Sequence, residues 1–319
     1  MTDPQYGPVM LDVAGIELTP EDRDRLTHPR VGGVILFARN YTDPGALRAL
    51  TAAIRESRAA PLLIAVDHEG GRVQRFRDGF TTVPAMGALG RRWDEDPVAA
   101  VADARAWGRT IAAELGSCDI DFSFTPVLDL AWGSSTVIGE RAFHRRPRAV
   151  VELACALCAG LASEGMAAVG KHFPGHGFVA ADSHLETPVD ARELDVLMRD
   201  DIAPFAALIA QGLPAVMPAH VVYPAVDSVP AGFSRRWLTE ILRGHLGFDG
   251  LIFSDDLTMA GAHAMGDIVA RADAAQRAGC DMVLVCNAPD AADALLDRWT
   301  PASNPDLARR APRMARAGR

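Results

Sequence analysis

Leu62-Leu-Ile-Ala-Val-Asp67-His-Glu-Gly-Gly-Arg-Val-Gln-Arg75 divides into two halves that obey different rules. The first five residues are apolar throughout, too short for a helix, and predict a strand with both faces covered, as in a parallel sheet. Of the following nine, all but Val73 are charged, polar or glycine. A buried strand here delivers titratable side chains at its C-terminal end.

The same layout recurs outward in both directions. Short apolar runs at 9–13, 31–37, 121–125, 167–170, 215–218, 251–253 and 282–285 join 62–66 as candidate strands. Helix-like stretches lie between them, at 20–27, 44–58, 97–116, 148–164, 192–211, 235–247 and 267–279. Asp43-Pro44 and Asp96-Pro97 each offer an N-cap and a proline at the first helical position. Gly116, Gly165, Gly212 and Gly279 stand where helices should stop. Eight strand–helix units predict an α/β fold, a single-domain (β/α)8 TIM barrel over residues 1–299, with 300–319 as a weakly structured tail. An open doubly wound sheet would favour a glycine-rich turn after the first strand, and Leu11-Asp-Val-Ala-Gly-Ile16 supplies one glycine.

Composition narrows the function. The chain has 319 residues, 32 basic and 41 acidic, for a net charge of −9. That balance opposes a nucleic-acid-coating role, and half the residues being apolar opposes disorder. No basic segment precedes an apolar one at the N-terminus, and the longest apolar tract, 150–162, contains Glu152 and is too short to span a bilayer. Five cysteines (118, 155, 158, 280 and 286) do not suit a disulfide framework, and Cys155-x-x-Cys158 sits among small apolar residues as packing. These features predict a cytoplasmic protein with no nucleic-acid partner and no membrane partner; that it acts as a monomer on a small-molecule substrate is an expectation that composition does not supply.

In a barrel of this kind chemistry belongs at the C-terminal ends of the strands. There the sequence places Asp67 to Arg75, then Pro126 and Asp129, then Lys171-His-Phe-Pro-Gly-His-Gly177 running on to Asp182-Ser-His184, then His220, Asp255-Asp256 and Asn287. Asp255 and Asp256 could serve as nucleophile, base, metal ligand or cap of the next helix, and two adjacent carboxylates could divide that work. Asp182-x-His184 puts both side chains on one side of an extended segment, where the aspartate can orient an imidazole for proton transfer. The stretch 172–191 has no clear periodicity and predicts a functional loop that closes over a bound ligand. A metal-dependent amidohydrolase is the rival for this histidine supply. It would carry His-x-His after its first strand, where this chain has Asp12-Val-Ala14, so no metal site is expected.

Six blocks together carry a resemblance. They are 67–75, Ile-Gly-Glu-Arg-Ala-Phe at 138–143, Gly-Lys-His-Phe-Pro-Gly-His-Gly at 170–177, Asp-Ser-His at 182–184, Met-Pro-Ala-His at 217–220 and Phe-Ser-Asp-Asp-Leu-Thr-Met at 253–259. In this order they resemble glycoside hydrolase family 3, and within it the single-domain bacterial β-N-acetylglucosaminidases of peptidoglycan recycling. The resemblance implies a retaining, cofactor-free hydrolase that removes β-1,4-linked GlcNAc from anhydro-MurNAc muropeptides. Asp255 matches the nucleophile, His184 the general acid/base and Asp182 its partner. Asp67, Arg75, Arg141, Lys171 and His172 match the sugar-binding positions. Histidine in place of the usual second carboxylate suits proton donation and return near neutral pH. A GlcNAc phosphorylase and a catalytically inactive sugar-binding protein are the alternatives.

Overall fold

The computed structural model describes residues 6–180 and 187–317. Eight parallel strands, β1 (Val9–Leu11), β2 (Val31–Leu36), β3 (Leu63–Val66), β4 (Phe122–Ser123), β5 (Val169–Phe173), β6 (Ala215–Pro218), β7 (Leu251–Asp256) and β8 (Met282–Val285), form one sheet. β1 pairs with both β2 and β8, in the registers Leu11 to Val34 and Leu11 to Val285. The circle closes between β4 and β5, where Val169 N donates to Thr125 O at 2.8 Å and Leu128 N to Lys171 O at 2.7 Å. The result is the expected (β/α)8 barrel.

Residues of β1 to β6 are buried, as covered parallel strands require. Phe122 of β4 and Phe253 of β7 are not sheet neighbours, so their rings, 5.5 Å apart, meet across the lumen. Phe124 stands edge-on to both, at 5.2 Å from each, and fills the layer beneath the mouth.

The helices start for the reasons read in the sequence. Gly165, Gly212 and Gly279 follow the ends of theirs at positive φ, but Pro97–Ser117 runs through Gly116 and stops ahead of Asp119, whose φ is 61°. The Asp43 side chain accepts from Gly45 N and Ala46 N ahead of Pro44–Glu56, and Asp96 accepts from Ala99 N ahead of Pro97–Ser117. Pro97–Ser117 packs on Pro147–Ser163 with backbones nearly touching. A Cβ at Gly108 would lie 2.2 Å from Leu157 O, and one at Gly160 2.2 Å from Arg105 O. Larger residues at this crossing would force the two helices apart.

Three elements differ from the sequence reading. A helix over Met86–Glu95 precedes the one at 97, and the sequence did not announce it. The single helix expected over 192–211 is two, Leu194–Arg199 and Ala203–Ala210. Pro204 cannot donate to the carbonyl four residues back and crowds its predecessor out of the helical region, so the chain breaks there. The segment expected as a weak tail forms a helix over Pro305–Arg310 and a further turn over Ala311–Met314, with Leu307, Ala311 and Met314 buried. Arg310 pairs with Asp281 just before β8 (2.9 Å), and Arg316 N donates to Asp121 just before β4 (3.1 Å). The tail therefore covers the N-terminal end of the barrel.

Candidate active site

At the opposite end, the strands empty into a cavity of about 580 Å3. Six expected site residues line it: Asp67, Arg75, Arg141, Lys171, His172 and Asp255. Asp182 and His184 lie outside the described residues.

Alternation along the chain after β3 throws Asp67 and Glu69 to one side. Both reach Lys171, whose Nζ stands 2.7 Å from Asp67 Oδ1 and 2.6 Å from Glu69 Oε1. A short antiparallel pairing of His68–Gly70 with Val73–Gln74 turns the chain back so that Arg75 faces Asp67, at 3.5 Å. Arg141, at the end of the turn Gly139–Arg141, grips Glu69 with two parallel bonds of 2.9 and 2.8 Å. That fork geometry fixes the guanidinium in a single orientation.

Burial would raise both carboxyls, but the adjacent cations outweigh it. Lys171 and Arg75 hold Asp67 below its usual range, and Arg141 and Lys171 hold Glu69 well below its own. Burial favours the neutral form of Arg141, but the Glu69 carboxylate outweighs it and holds the guanidinium above its ordinary range, so it stays charged.

Asp129, after β4, is fully buried and organises the far end of β5. It accepts from His172 Nδ1 at 2.7 Å and from His176 N at 2.7 Å. The contact holds the His172 ring in one orientation at the cavity wall. Glu69, Asp129 and His176 are site-building residues that the sequence reading did not assign. The signal for Glu69 was present, since it lies two residues from Asp67 on the same side of an extended segment.

The adjacent aspartates at the end of β7 do divide their work. Asp256 turns inward, accepting from Thr258 N (2.9 Å), Thr258 Oγ1 (2.8 Å) and Cys286 N (3.2 Å). Burial, assisted by neighbouring Asp255, raises its carboxyl to about 6 despite these bonds. Asp255 accepts only from Asp256 N, at 2.8 Å through Oδ1, and its Oδ2 makes no hydrogen bond among the described residues. His220 Nε2 contacts Asp256 O at 3.0 Å, and its ring stacks on Phe233. Among the described residues no group of three or more His, Cys, Asp or Glu is disposed to hold a metal ion, and no helix is long and apolar enough to cross a membrane.

One carboxylate oxygen facing a cavity, opposite a set of immobilised charged donors and acceptors, suits the hydroxyls and reacting carbon of a sugar. The model of the glycosyl hydrolase family 3 N-terminal domain matches residues 9–314. The beta-hexosaminidase of Bordetella avium is 65% identical over 293 residues, covering 92% of this chain and 84% of that protein. The beta-hexosaminidase of Aromatoleum aromaticum is 61% identical over 301 residues, covering 94% and 85%. Among solved structures, NagZ from Neisseria gonorrhoeae in complex with N-trifluoroacetyl-D-glucosamine superposes with a TM-score of 0.94 at 55% identity, covering 98% of this chain and 91% of that one.

Proposed function

Since the chain belongs to glycosyl hydrolase family 3, we propose that it is an exo-acting, retaining β-N-acetylglucosaminidase. Its substrate is GlcNAc linked β-1,4 to 1,6-anhydro-MurNAc, with or without stem peptide, and its place is the cytoplasmic recycling of peptidoglycan. One observation carries the reading: Asp255 shares a cavity with Asp67, Arg75, Arg141, Lys171 and His172.

Asp255 Oδ2 attacks C1 of the sugar while the bond from C1 to the leaving oxygen breaks. His184, oriented by Asp182, gives its proton to that oxygen. In the second half His184 takes a proton from water, the water oxygen bonds to C1, and the Asp255–C1 bond breaks with its electron pair returning to the carboxylate. Asp67, Lys171, Arg75, Arg141 and His172 hold the ring hydroxyls through bonds that tighten as positive charge develops at C1. Asp256, occupied by three donors, holds the turn that aims Asp255.

Paired chromogenic β-GlcNAc and β-glucose substrates, with and without phosphate, test this directly. Release of free GlcNAc, independent of phosphate and strongly preferred over glucose, supports the hydrolase. Release of GlcNAc-1-phosphate only when phosphate is present would make it a phosphorylase. Absence of any turnover would leave a sugar-binding protein. The role of His184 is checked by leaving-group dependence. His184→Ala should slow poor leaving groups far more than activated aryl glycosides, and equal losses would contradict an acid.

A further inference from the structure

Beside the sugar cavity runs an open groove of about 430 Å3 lined by Arg72, Arg75, Arg77, Gln74, Tyr41 and Asp78, among others. It shares Arg72 and Arg75 with the cavity itself, so these two side chains border both spaces. On a chain of net charge −9 this stretch of rim carries three guanidiniums against one carboxylate. Arg75 is engaged with Asp67, whereas Arg72 and Arg77 pair with no carboxylate among the described residues.

Neither of these two arginines hangs loose. Arg72 Nη2 donates to the carbonyls of Val137 and, at 3.4 Å, Thr136, and Arg77 Nη2 donates to Gly71 O at 2.9 Å. Each guanidinium is anchored at one nitrogen by neutral backbone oxygens and keeps its remaining N–H donors for a ligand. Their field is felt nearby. Burial, aided by Arg77 and Arg75, pushes the imidazole of His68 down to about 4.

We infer that Arg72 and Arg77 form an anion site that binds a carboxylate carried by the group leaving C1 of the sugar. The inference rests on the glycosidase reading above. An exo-acting enzyme seats its terminal sugar at the closed end of the pocket, here among Asp67, Glu69, Lys171 and Arg141. A leaving group that runs outward past Arg72, which lines both the cavity and the groove, comes within reach of the two guanidiniums. A carboxylate matches a guanidinium fork in shape and charge, and a second arginine beyond the first can follow an anionic substituent further out. Because the site is exposed, its contribution should be sensitive to salt.

The test compares two substrates with the same bond: the neutral disaccharide GlcNAc-β-1,4-GlcNAc, and GlcNAc-β-1,4-anhydro-MurNAc with its lactyl carboxylate. A third substrate is the methyl ester of the latter. The readout is the ratio of kcat/KM between them in wild type, Arg72→Gln, Arg77→Gln and the double variant, which cancels any loss of correctly folded enzyme. The acid should be preferred over its ester in wild type. That preference should fall about fivefold in each single variant and shrink as salt rises from about 20 to 300 mM. Equal kcat/KM for acid and ester in wild type, or a ratio unchanged within about twofold in the double variant, would overturn the site. Failure of wild type to cleave any of the three would instead overturn the glycosidase reading, so the two failures are separable.

Discussion

The two ends of this barrel are built from the same chemistry and do different things. At the N-terminal end, Asp281 accepts from Arg243 (2.8 Å), Arg310 (2.9 Å) and Ile252 N (2.9 Å), and Asp121 accepts from Arg55 (2.7 Å) and Ile64 N (2.7 Å). At the C-terminal end, Glu69 accepts from Arg141 and Lys171, and Asp129 from His172 and His176. Both are buried clusters of ions. The lower cluster spends its carboxylates on strand amides and on the tail that covers it. The upper one keeps Asp67, Lys171 and Arg141 on the wall of a cavity of about 580 Å3. Access to that space, rather than charge or burial, separates groups that hold the fold from groups that meet a substrate.

The sharpest break between the ends should come at Asp255. Asp255→Ala is expected to lower kcat/KM on the order of 10^4-fold, with an unchanged melting temperature, because among the described residues the side chain bonds only to the next amide. A 2-fluoro or 5-fluoro GlcNAc donor should label Asp255. Label on Asp256, with Asp255→Ala still active, would reverse the division of labour between them.

Glu69→Gln probes a residue that belongs to both categories. It leaves Arg141 and Lys171 buried without their shared anion, so a loss of about 3 kcal/mol in unfolding free energy is expected. It also loosens two sugar-facing cations, for a fall in kcat/KM of about 100-fold. Arg310→Met at the lower end should show a similar stability loss, about 3 kcal/mol by urea titration, with the kinetics of the remaining folded enzyme unchanged. If Arg310→Met altered KM, or Glu69→Gln altered stability alone, the contrast between the ends would fail.

The smallest effect is in pH. The carboxyl of Glu69 lies well below its ordinary 4.5 in the folded state. Its contribution is therefore complete above that ordinary value and disappears as pH falls through the folded one. The stability gap between wild type and Glu69→Gln should hold down to about pH 5 and narrow steadily below it. A gap that widened on acidification would mean that Glu69 is not held ionised by its neighbours.

How much of this was legible follows from where each signal is local. The eight strands could be read because a buried parallel strand is apolar throughout, and their ends varied by a few residues only. β5 runs on to Phe173 although Lys171 and His172 read as loop, since their partners, Glu69 and Asp129, are distant in sequence. The helix Met86–Glu95 was hidden by Gly87 and Gly90, residues that ordinarily discourage helices. Gly90 is there because a Cβ would lie 1.7 Å from Phe143 O, a requirement no local pattern reveals. The tail was unreadable for the same reason. Its arginines look like a solvated run until Asp281 and Asp249, far upstream in the chain, are placed beside them.

The closing of the circle has a consequence for the order in which the molecule can be made. β1, near the start of the chain, gains its second neighbour only when β8 has been synthesised, and Asp249 and Asp281 meet Arg309 and Arg310 later still. Throughout translation the growing chain is thus an open sheet with apolar edges and, at its base, carboxylates that await cations not yet built. Until β8 is made those open edges are free to pair with other chains, and only closure of the circle removes them.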